Sequence, residues 1–445
     1  MKQLGIVGQS VKRRDGLGHV TGQTQYVDDV FYPNMLWIKM VRSPVSRGKI
    51  HKIDTTRAEA FPGVAAVVTA KDVPNNWYTI LCLIGVGPND EPVLAHEEVM
   101  YEGEPICAIV AETEEIAREA AALVELEIEE QPPVLDLEFA LSPDAPVIKK
   151  WGSNTFTYDG MDHRQLRFGD VEAGFAQADY VVEGTYQLSP IEHAPIETHV
   201  CVVRPEPDGR LTIHSNTQAL YFTMDNTAII LNVPGNRLRM LGGTVGGGFG
   251  GKVDVITEPI TCIASMKTGR PVKWRWTRDE EMRFSSTRAA VKMEYRDGVT
   301  KDGRIIARKV RSLQEAGAYH RPSPYGAQKH MANLPGPYNI PNVWVDVYCV
   351  YTNRQPSSAM RGFGVTEASF AIEVQMDKIA RAIGMDPWEI RLINAYRNGQ
   401  TKPVRKIMED ATLIETLQAA AKLVGHELSA PMLAMSSDDN ISAED

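Results

Sequence analysis

The sequence has few cysteines, and they do not form a pattern. Its 445 residues include five, at positions Cys82, Cys107, Cys201, Cys262 and Cys349. An odd number of scattered cysteines without a CxxC motif argues against a disulfide framework and against the compact spacings of zinc and iron–sulfur sites. A reducing compartment, the cytoplasm, is the simplest expectation.

Long apolar runs and an excess of positive charge are also missing. No stretch of 18 apolar residues occurs, and the opening residues MKQLGIVGQSVKRRDG lack the apolar core of a signal peptide. The sequence therefore predicts neither membrane insertion nor secretion. The formal charge of −10 argues against nucleic acid as the main partner, because phosphate binding depends on Lys and Arg. With 43% hydrophobic residues, the chain has the composition of a globular protein long enough for two or three domains.

The residue pattern divides the chain into an N-terminal unit, a linker, a larger second domain and a tail. In residues 8–130, the strands PICAIVAE and VELEIEE flank a helix that Thr113 caps. The Pro-rich, poorly periodic residues 131–165 are typical of a linker. Strands alternating with turns and helices predict a second domain over residues 166–427. The polar, acidic residues 428–445 predict a disordered tail.

Three helices of the second domain can be placed from their patterns. Two are predicted at residues 256–267 and 367–383. The third is predicted over MDPWEIRLINAY, where Asp386 caps the helix and Pro387 takes its first turn. There Glu389 is expected to complete a capping box.

The most unusual stretch is GGTVGGGFGG at residues 242–251, which Lys252 and Val253 follow. Because glycine has no Cβ, such a run lets backbone N–H groups come close to an oxygen-rich ligand. The run fits the nucleotide-binding patterns G-x-x-x-x-G-K and G-x-G-x-x-G only in part. Val253 replaces the hydroxyl that a P-loop uses to hold magnesium, and no carboxylate lies where a dinucleotide site binds ribose. A mobile surface loop is the alternative, which Phe249 and the flanking strand RLRML disfavour.

A second stretch, HAPIETH at residues 193–199, contains His193, Glu197 and His199 and so resembles a metal cluster. Pro195 disfavours the helix that would place ligands one turn apart, and the following VCVV continues a strand. We therefore expect these side chains to make structural hydrogen bonds.

Three stretches together resemble the large, molybdenum-binding subunit of the xanthine dehydrogenase and aldehyde oxidase family. They are VKRRDGLGHVTGQTQYVDDV near the start, TVGGGFGGK in the middle and PSSAMRGFG at residues 356–364. YEGEPICAIVAET and RFGDVEAGFAQADYVVEGTY also fit, so the resemblance extends from about residue 8 to residue 425. It implies an α+β fold in which an N-terminal a/b hammerhead domain precedes the first molybdopterin-binding domain.

The resemblance also implies the residues of a cofactor and substrate site. They are Gln218, Gly247, Gly248, Phe249, Gly250, Arg361 and Phe363. Gln218 matches a glutamine whose amide donates to an oxygen ligand of molybdenum, and the glycines match a loop whose backbone reaches the pterin. Phe249 and Phe363 match the rings at the substrate, and Arg361 matches an arginine near the metal. Gln218, Phe249 and Arg361 are the implied catalytic residues; no side chain is expected to ligate the metal, because the pterin supplies its sulfur ligands.

Two departures from the family pattern narrow the expectation. Many members carry a glutamate directly after GGK that holds a purine, whereas this chain has Val253, so a purine substrate is disfavoured. Undivided members use as base a glutamate in a GxGE context near their far C-terminus, and this chain contains no GxGE. The chain ends after about half of the usual subunit, as either a split subunit or an incomplete sequence would; the capped helix and the polar end favour a split subunit.

Within the family, the length resembles the split subunits of nicotinate dehydrogenase of anaerobic bacteria. That implies hydroxylation of an N-heterocyclic aromatic, with nicotinate favoured, and a molybdenum–molybdopterin cofactor in its cytosine dinucleotide form. The implied partners are a companion chain with the C-terminal half and the base, an iron–sulfur subunit and a FAD subunit. Lys329 is the expected cation for a substrate carboxylate, and a solvated loop is its alternative reading.

Other functions stay open at this point. Within the same family they are an aldehyde, purine or other heterocycle dehydrogenase subunit. A cofactor-binding scaffold without turnover is another, although such a scaffold has no need of Gln218, Phe249 and Arg361 in these contexts. An ATP-using enzyme built on the glycine run is the last, which Val253 disfavours.

Overall fold

Two large β-sheets organise the chain, which the computed structural model describes over residues 5–439. The first has seven strands, in the order Leu238–Gly242, Leu211–Ser215, Val200–Pro205, Val272–Arg275, Leu36–Arg42, Pro105–Ala111 and Val64–Val68. The second has five, in the order Tyr180–Leu188, Val291–Val299, Ile305–Gly317, Val343–Tyr351 and Arg164–Phe168. The smaller sheets are Glu98–Val99 with Gly48–Asp54 and Glu125–Glu130, Ile191–Glu192 with Thr287–Arg288, and Trp77–Tyr78 with Glu91–Pro92.

The helices predicted from the sequence are present, and further helices connect the strands. In chain order they are Gly16–Thr21, Thr56–Glu59, Glu114–Ala121, Leu137–Ala140, Val171–Gln177, Leu220–Leu231, Glu258–Thr268, Arg278–Phe284, Ser323–Asn333, Val365–Ile383, Pro387–Asn394, Leu413–Leu423 and Ala430–Ala434. Thr113 caps its helix as predicted, and the Asp386 carboxylate accepts from the N–H groups of Trp388 and Glu389. A capping box also needs the Asp386 N–H to donate to the Glu389 side chain, and this bond is not formed among the described residues. Every helix in residues 5–439 is too short or too polar to span a bilayer.

The first sheet joins strands from both sides of the predicted linker. The strand Leu36–Arg42 lies parallel to Val272–Arg275, with Leu36 opposite Val272. Apolar side chains of these strands and of the helix Glu258–Thr268 pack into one core. The N-terminal segment and the second half of the chain therefore share a sheet and stabilise each other.

The second sheet contains a buried ion pair. The Arg308 guanidinium lies 2.7 Å from the Asp297 carboxylate, and neither side chain reaches solvent. The Pro335 carbonyl and the Gln375 amide complete the hydrogen bonds of the pair, which offsets much of the cost of removing two charges from water. The helix Val365–Ile383 packs on this sheet and brings the segment that precedes it towards the glycine run.

The predicted linker, residues 131–165, is packed rather than free. It contains one short helix, Leu137–Ala140, and its side chains Val134, Phe156 and Tyr158 are buried in the core of the second sheet. The prolines limit its regular structure, but the apolar residues between them bind it to the domain.

The predicted disorder of the tail is wrong for residues 428–439. The Gln418 amide donates to the Met432 carbonyl at 2.8 Å, and the Ser437 hydroxyl donates to Glu415 at 2.7 Å. These contacts hold the helix Ala430–Ala434 against Leu413–Leu423. Residues 440–445 of the predicted tail lie outside the described residues.

Candidate functional site

The glycine loop, residues 243–252, leads from the strand Leu238–Gly242 towards the helix Glu258–Thr268. Its backbone turns at three residues with positive φ, namely Gly247 at 103°, Phe249 at 53° and Gly250 at 107°. A left-handed conformation is unfavourable for a residue with a side chain, so that of Phe249 must be held by its surroundings. The Phe249 side chain is 46% exposed, which leaves its ring free to contact a ligand.

The RGFG segment, Arg361–Gly364, lies directly against this loop. The Arg361 N–H donates to the Phe249 carbonyl at 2.8 Å. A Cβ at Gly250 would lie 2.4 Å from the Ala359 carbonyl oxygen, so only glycine permits this approach. Two stretches far apart in sequence therefore meet backbone to backbone.

Gln218, just after the strand Leu211–Ser215, is fixed at one end of its amide. Its Oε1 accepts from the backbone N–H groups of Gly250 at 2.9 Å and Lys252 at 3.3 Å. A Cβ at Gly248 would lie 2.4 Å from the same oxygen, so a larger residue there would displace the Gln218 side chain. Nε2 has no partner within residues 5–439 and lies on an exposed side chain. The amide thus presents two N–H donors beside the loop.

Arg361 is held by its backbone while its side chain stays exposed. Its carbonyl accepts from Arg288 at 2.6 Å, and Arg288 is paired with the buried Glu367 at 3.1 Å. No partner of the Arg361 guanidinium occurs in the part of the chain that the structure describes. A free guanidinium on a fixed backbone can bind an anion through two parallel N–H bonds.

The helix Ser323–Asn333 adds a cation and a ring beside Phe363. Lys329 Nζ lies 4.9 Å from the ring centroid of Tyr325 and 5.7 Å from that of Phe363, and the two rings are 6.0 Å apart. Lys329 lies on an exposed turn of this helix and not in a loop, so its side chain is solvated and its role at a substrate carboxylate stays a prediction. Sequence reasoning missed Tyr325 because it predicted no helix here, although the spacing of four residues from Lys329 was a usable signal.

The HAPIETH side chains make hydrogen bonds, as predicted, and they lie beneath the glycine loop. His193 Nε2 donates to the Ala359 carbonyl at 2.8 Å, and Glu197 Oε2 accepts from the Gly246 N–H at 2.7 Å. His199 Nδ1 lies 2.9 Å from Glu281; burial opposes ionisation of that carboxyl, but His199 holds the pKa of Glu281 below its usual value. No group of three or more His, Cys, Asp or Glu side chains in residues 5–439 is arranged to hold a metal ion.

Lys252 is not available to a phosphate. Its side chain is only 1% exposed, and Nζ lies 3.0 Å from Glu197 Oε2. Burial lowers the pKa of Lys252, and Glu197 counteracts this by favouring its charged form. The helix that follows begins only at Glu258, whereas a P-loop lysine lies at the start of its helix. The glycine run therefore lacks the geometry of a nucleotide site.

Known proteins share both parts of this architecture. Residues 154–395 match the molybdopterin cofactor-binding domain, and residues 21–132 match the a/b hammerhead domain of aldehyde oxidase and xanthine dehydrogenase. The chain belongs to the xanthine dehydrogenase and aldehyde oxidase family. The predicted order, a hammerhead domain followed by a molybdopterin-binding domain in an α+β fold, is confirmed.

Three relatives show how much of the family's architecture the chain covers. It is 34% identical over 432 residues to the nicotinate dehydrogenase large molybdopterin subunit of Eubacterium barkeri, covering 96% of this chain and 99% of that protein. It is 32% identical over 422 residues to the xanthine dehydrogenase molybdenum-binding subunit of Escherichia coli O157:H7, covering 92% of this chain and 55% of that protein. It superposes on the aldehyde oxidoreductase of Desulfovibrio gigas with a TM-score of 0.87 at 31% identity, covering 94% of this chain and 47% of that one. The chain thus spans nearly all of the first relative and about half of the other two.

The chain is a molybdopterin-binding subunit of this family, and its geometry fits such a cofactor. Glycine at positions 248 and 250 lets the loop backbone pack directly against the Gln218 side chain and the Ala359 carbonyl. The free amide of Gln218 and the free guanidinium of Arg361 supply donors for an anionic, oxygen-rich group.

Proposed function

We propose that this chain carries one part of the active site of a molybdenum hydroxylase that hydroxylates an N-heterocyclic aromatic, with nicotinate as the favoured substrate. The observation that carries the proposal is the meeting of three segments that are distant in sequence. Gln218 is anchored to the glycine loop at 2.9 Å, and the loop is anchored to Arg361 at 2.8 Å. Their free donors and the exposed Phe249 ring are thereby brought to one place.

The cofactor is held by the chain's own polar groups. In this proposal Gln218 Nε2, the backbone of Gly247–Gly250 and the Arg361 guanidinium bind a molybdenum–molybdopterin in its cytosine dinucleotide form. When bound, that group supplies the two-electron oxidation, with oxygen derived from water. The residues of this chain orient it, because the glycine loop, the Gln218 amide and the Arg361 backbone are held by hydrogen bonds before any ligand arrives.

The substrate site is a place for a flat ring that carries a carboxylate. Phe249 and Phe363 can pack against the two faces or edges of an aromatic heterocycle. Lys329 lies close to Phe363 and has no carboxylate partner among the described residues, so its charge is available for a substrate anion. Val253 packs against the core of the first sheet and offers no carboxylate to a purine.

The remaining parts of the enzyme belong to other polypeptides in this proposal. A companion chain supplies the second half of the cofactor site and the glutamate that acts as base. An iron–sulfur subunit and a FAD subunit carry the electrons away. The match over 99% of a protein named as a large molybdopterin subunit supports the division.

The first experiment is anaerobic purification of the native complex, with metal analysis and identification of each co-purifying chain. Near-stoichiometric molybdenum and a second chain with a GxGE glutamate are expected. A chain that is isolated alone and without molybdenum would refute the catalytic proposal for this polypeptide.

The substrate is tested by comparing nicotinate with the uncharged nicotinamide in the same complex. Lys329→Met is expected to lower kcat/KM for nicotinate about fivefold to tenfold, the magnitude of a partly exposed ion pair of about 1 kcal/mol. Its effect on nicotinamide should stay within about twofold. Lys378→Met, which removes an exposed lysine from the helix Val365–Ile383, is the matched control. Equal losses for both substrates, or no loss, would contradict the role of Lys329.

A further inference from the structure

Two features of the sequence have no place in the proposed chemistry, namely Lys252 at the end of the glycine loop and the HAPIETH segment beneath it. Lys252 has the position of a phosphate-binding lysine but is buried, and Glu197 has the appearance of a metal ligand but belongs to no such cluster among the described residues. Both are explained by the contact that they make with each other.

A single carboxylate oxygen joins Gly246 to Lys252, the last residue of the glycine loop. Glu197 Oε2 accepts from the Gly246 N–H at 2.7 Å and lies 3.0 Å from Lys252 Nζ. The Glu197 N–H donates in turn to the Gly246 carbonyl at 3.1 Å. Gly246 is thus bound through both its N–H and its carbonyl, and the last residue of the loop is tied to the same side chain.

The residues between Gly246 and Lys252 include Phe249, whose left-handed conformation is unfavourable for a residue with a side chain. Gly247, Phe249 and Gly250 all have positive φ. Strained conformations persist only where the surrounding structure fixes them. Closing the loop at Gly246 and Lys252 restricts the conformations that the intervening residues can adopt.

Lys252 also transmits this constraint to Gln218. Its N–H donates to Gln218 Oε1 at 3.3 Å, and its carbonyl accepts from the Gln218 N–H at 2.8 Å. The residue that pairs with Glu197 therefore also fixes the amide that would face the cofactor.

The backbone directly before Glu197 is held by Arg278. Arg278 donates to the Ile196 carbonyl at 2.8 Å and also to that of Pro195, directly before Glu197. The other carboxylate oxygen, Oε1, is buried and has no hydrogen-bond partner among the described residues. An unpartnered buried oxygen is costly, which indicates that the position of this carboxylate is set by its two contacts at Oε2.

We propose that Glu197 is the positioning residue of the glycine loop, closing it through Gly246 and Lys252 so that its backbone and Gln218 are set for the cofactor. The link to the cofactor rests on the proposed function, whereas the closing of the loop does not. The two parts are tested by separate measurements on the same variants.

The loop is tested by hydrogen–deuterium exchange of the purified complex stripped of its cofactor. Glu197→Gln and Lys252→Met are expected to speed exchange in peptides covering residues 244–252 at least tenfold. Peptides of the strands Val291–Val299 and Ile305–Gly317 should be unchanged. Asp297→Asn is the matched control, because it breaks an ion pair in the second sheet that is at least as deeply buried. Unchanged exchange in the loop of the Glu197 variant would overturn the proposal.

The cofactor is tested by molybdenum content per folded chain in the loaded complex. Glu197→Gln and Lys252→Met should each lower it at least threefold, with Asp297→Asn within 1.5-fold of the unaltered protein. The double variant Glu197→Gln/Lys252→Met carries no unpaired buried charge and keeps the test available if a single variant does not fold. A lower molybdenum content in the double variant shows that loss of the contact between Glu197 and Lys252 releases the cofactor. Full molybdenum content in the double variant would overturn the proposal. Absence of molybdenum from the unaltered complex would refute the proposed function and leave the exchange result standing.

Discussion

The approach of Gly250 to the RGFG segment gives the sharpest prediction about the site. In Gly250→Ala, a Cβ would lie 2.4 Å from the Ala359 carbonyl oxygen, whereas ordinary contact needs about 3.4 Å. The loop and the segment must therefore separate by roughly 1 Å. That movement strains the bond from Arg361 N–H to the Phe249 carbonyl and the bond from His193 to Ala359, each of about 1 kcal/mol.

The backbone conformation adds to this cost. Gly250 has φ of 107°, where an alanine costs about 1–2 kcal/mol. The total predicted loss is about 2–4 kcal/mol in the free energy of unfolding. Gly269→Ala is the matched control, since Gly269 has φ of 66° but nothing within 4 Å of a Cβ, so it carries only the backbone cost.

Denaturant unfolding and molybdenum content of the purified complex measure the two consequences. Gly250→Ala is expected to lose both stability and most of its molybdenum, and Gly269→Ala to lose about 1 kcal/mol of stability with its molybdenum retained. Equal behaviour of the two variants would show that the close backbone approach has no part in binding the cofactor.

Two further predictions concern single side chains. Gln218→Glu keeps an oxygen that accepts from the Gly250 N–H but loses both Nε2 donors. We therefore expect its stability to stay within about 1 kcal/mol of the unaltered protein and its kcat to fall at least about tenfold. An unchanged kcat would exclude Nε2 as a functional donor. Burial raises the pKa of Glu104 to about 8, so this carboxyl ionises at lower pH in the unfolded chain than in the folded protein. The free energy of unfolding should therefore fall by up to roughly 4 kcal/mol as the pH rises from about 4.5 to about 8. In Glu104→Gln, whose amide keeps partners in Met100 and Tyr319, unfolding curves between pH 5 and pH 8 should show that this component is gone, and an unchanged pH dependence would assign it to another group.

Local signals predicted much of the secondary structure. Thr113 and Asp386 mark helix starts because their side-chain oxygens accept from exposed N–H groups within the next turn, which depends only on nearby residues. The pairing of Leu36 with Val272 has no such local signal, since parallel strands from distant parts of the chain are joined by the packing of the whole sheet. The sequence therefore suggested two separate units where the structure has a shared core.

The candidate site likewise has parts that the sequence predicted and parts that it did not. Motif resemblance predicted Gln218, Phe249 and Arg361 as site residues, and in the structure the Gln218 amide and the Arg361 backbone both bind the glycine loop. Composition and spacing alone did not predict that Lys252 would be buried against Glu197, because a lysine after glycines is normally read as a solvent-exposed or phosphate-binding cation. Its burial depends on a carboxylate more than 50 positions earlier, and such a partner is visible only in the folded chain.

Part of the support of the glycine loop comes from buried side chains beneath it. Glu197 and His199 contact the loop from beneath, while the Phe249 ring and the Gln218 amide remain exposed. A ligand that binds there does not have to order the loop, so less of its binding free energy is lost to conformational entropy. The same arrangement keeps the donors at fixed positions during a reaction, which is what a site that stabilises developing charge requires. Loosening the contacts beneath the loop should therefore weaken ligand binding even where no residue that touches the ligand has been changed.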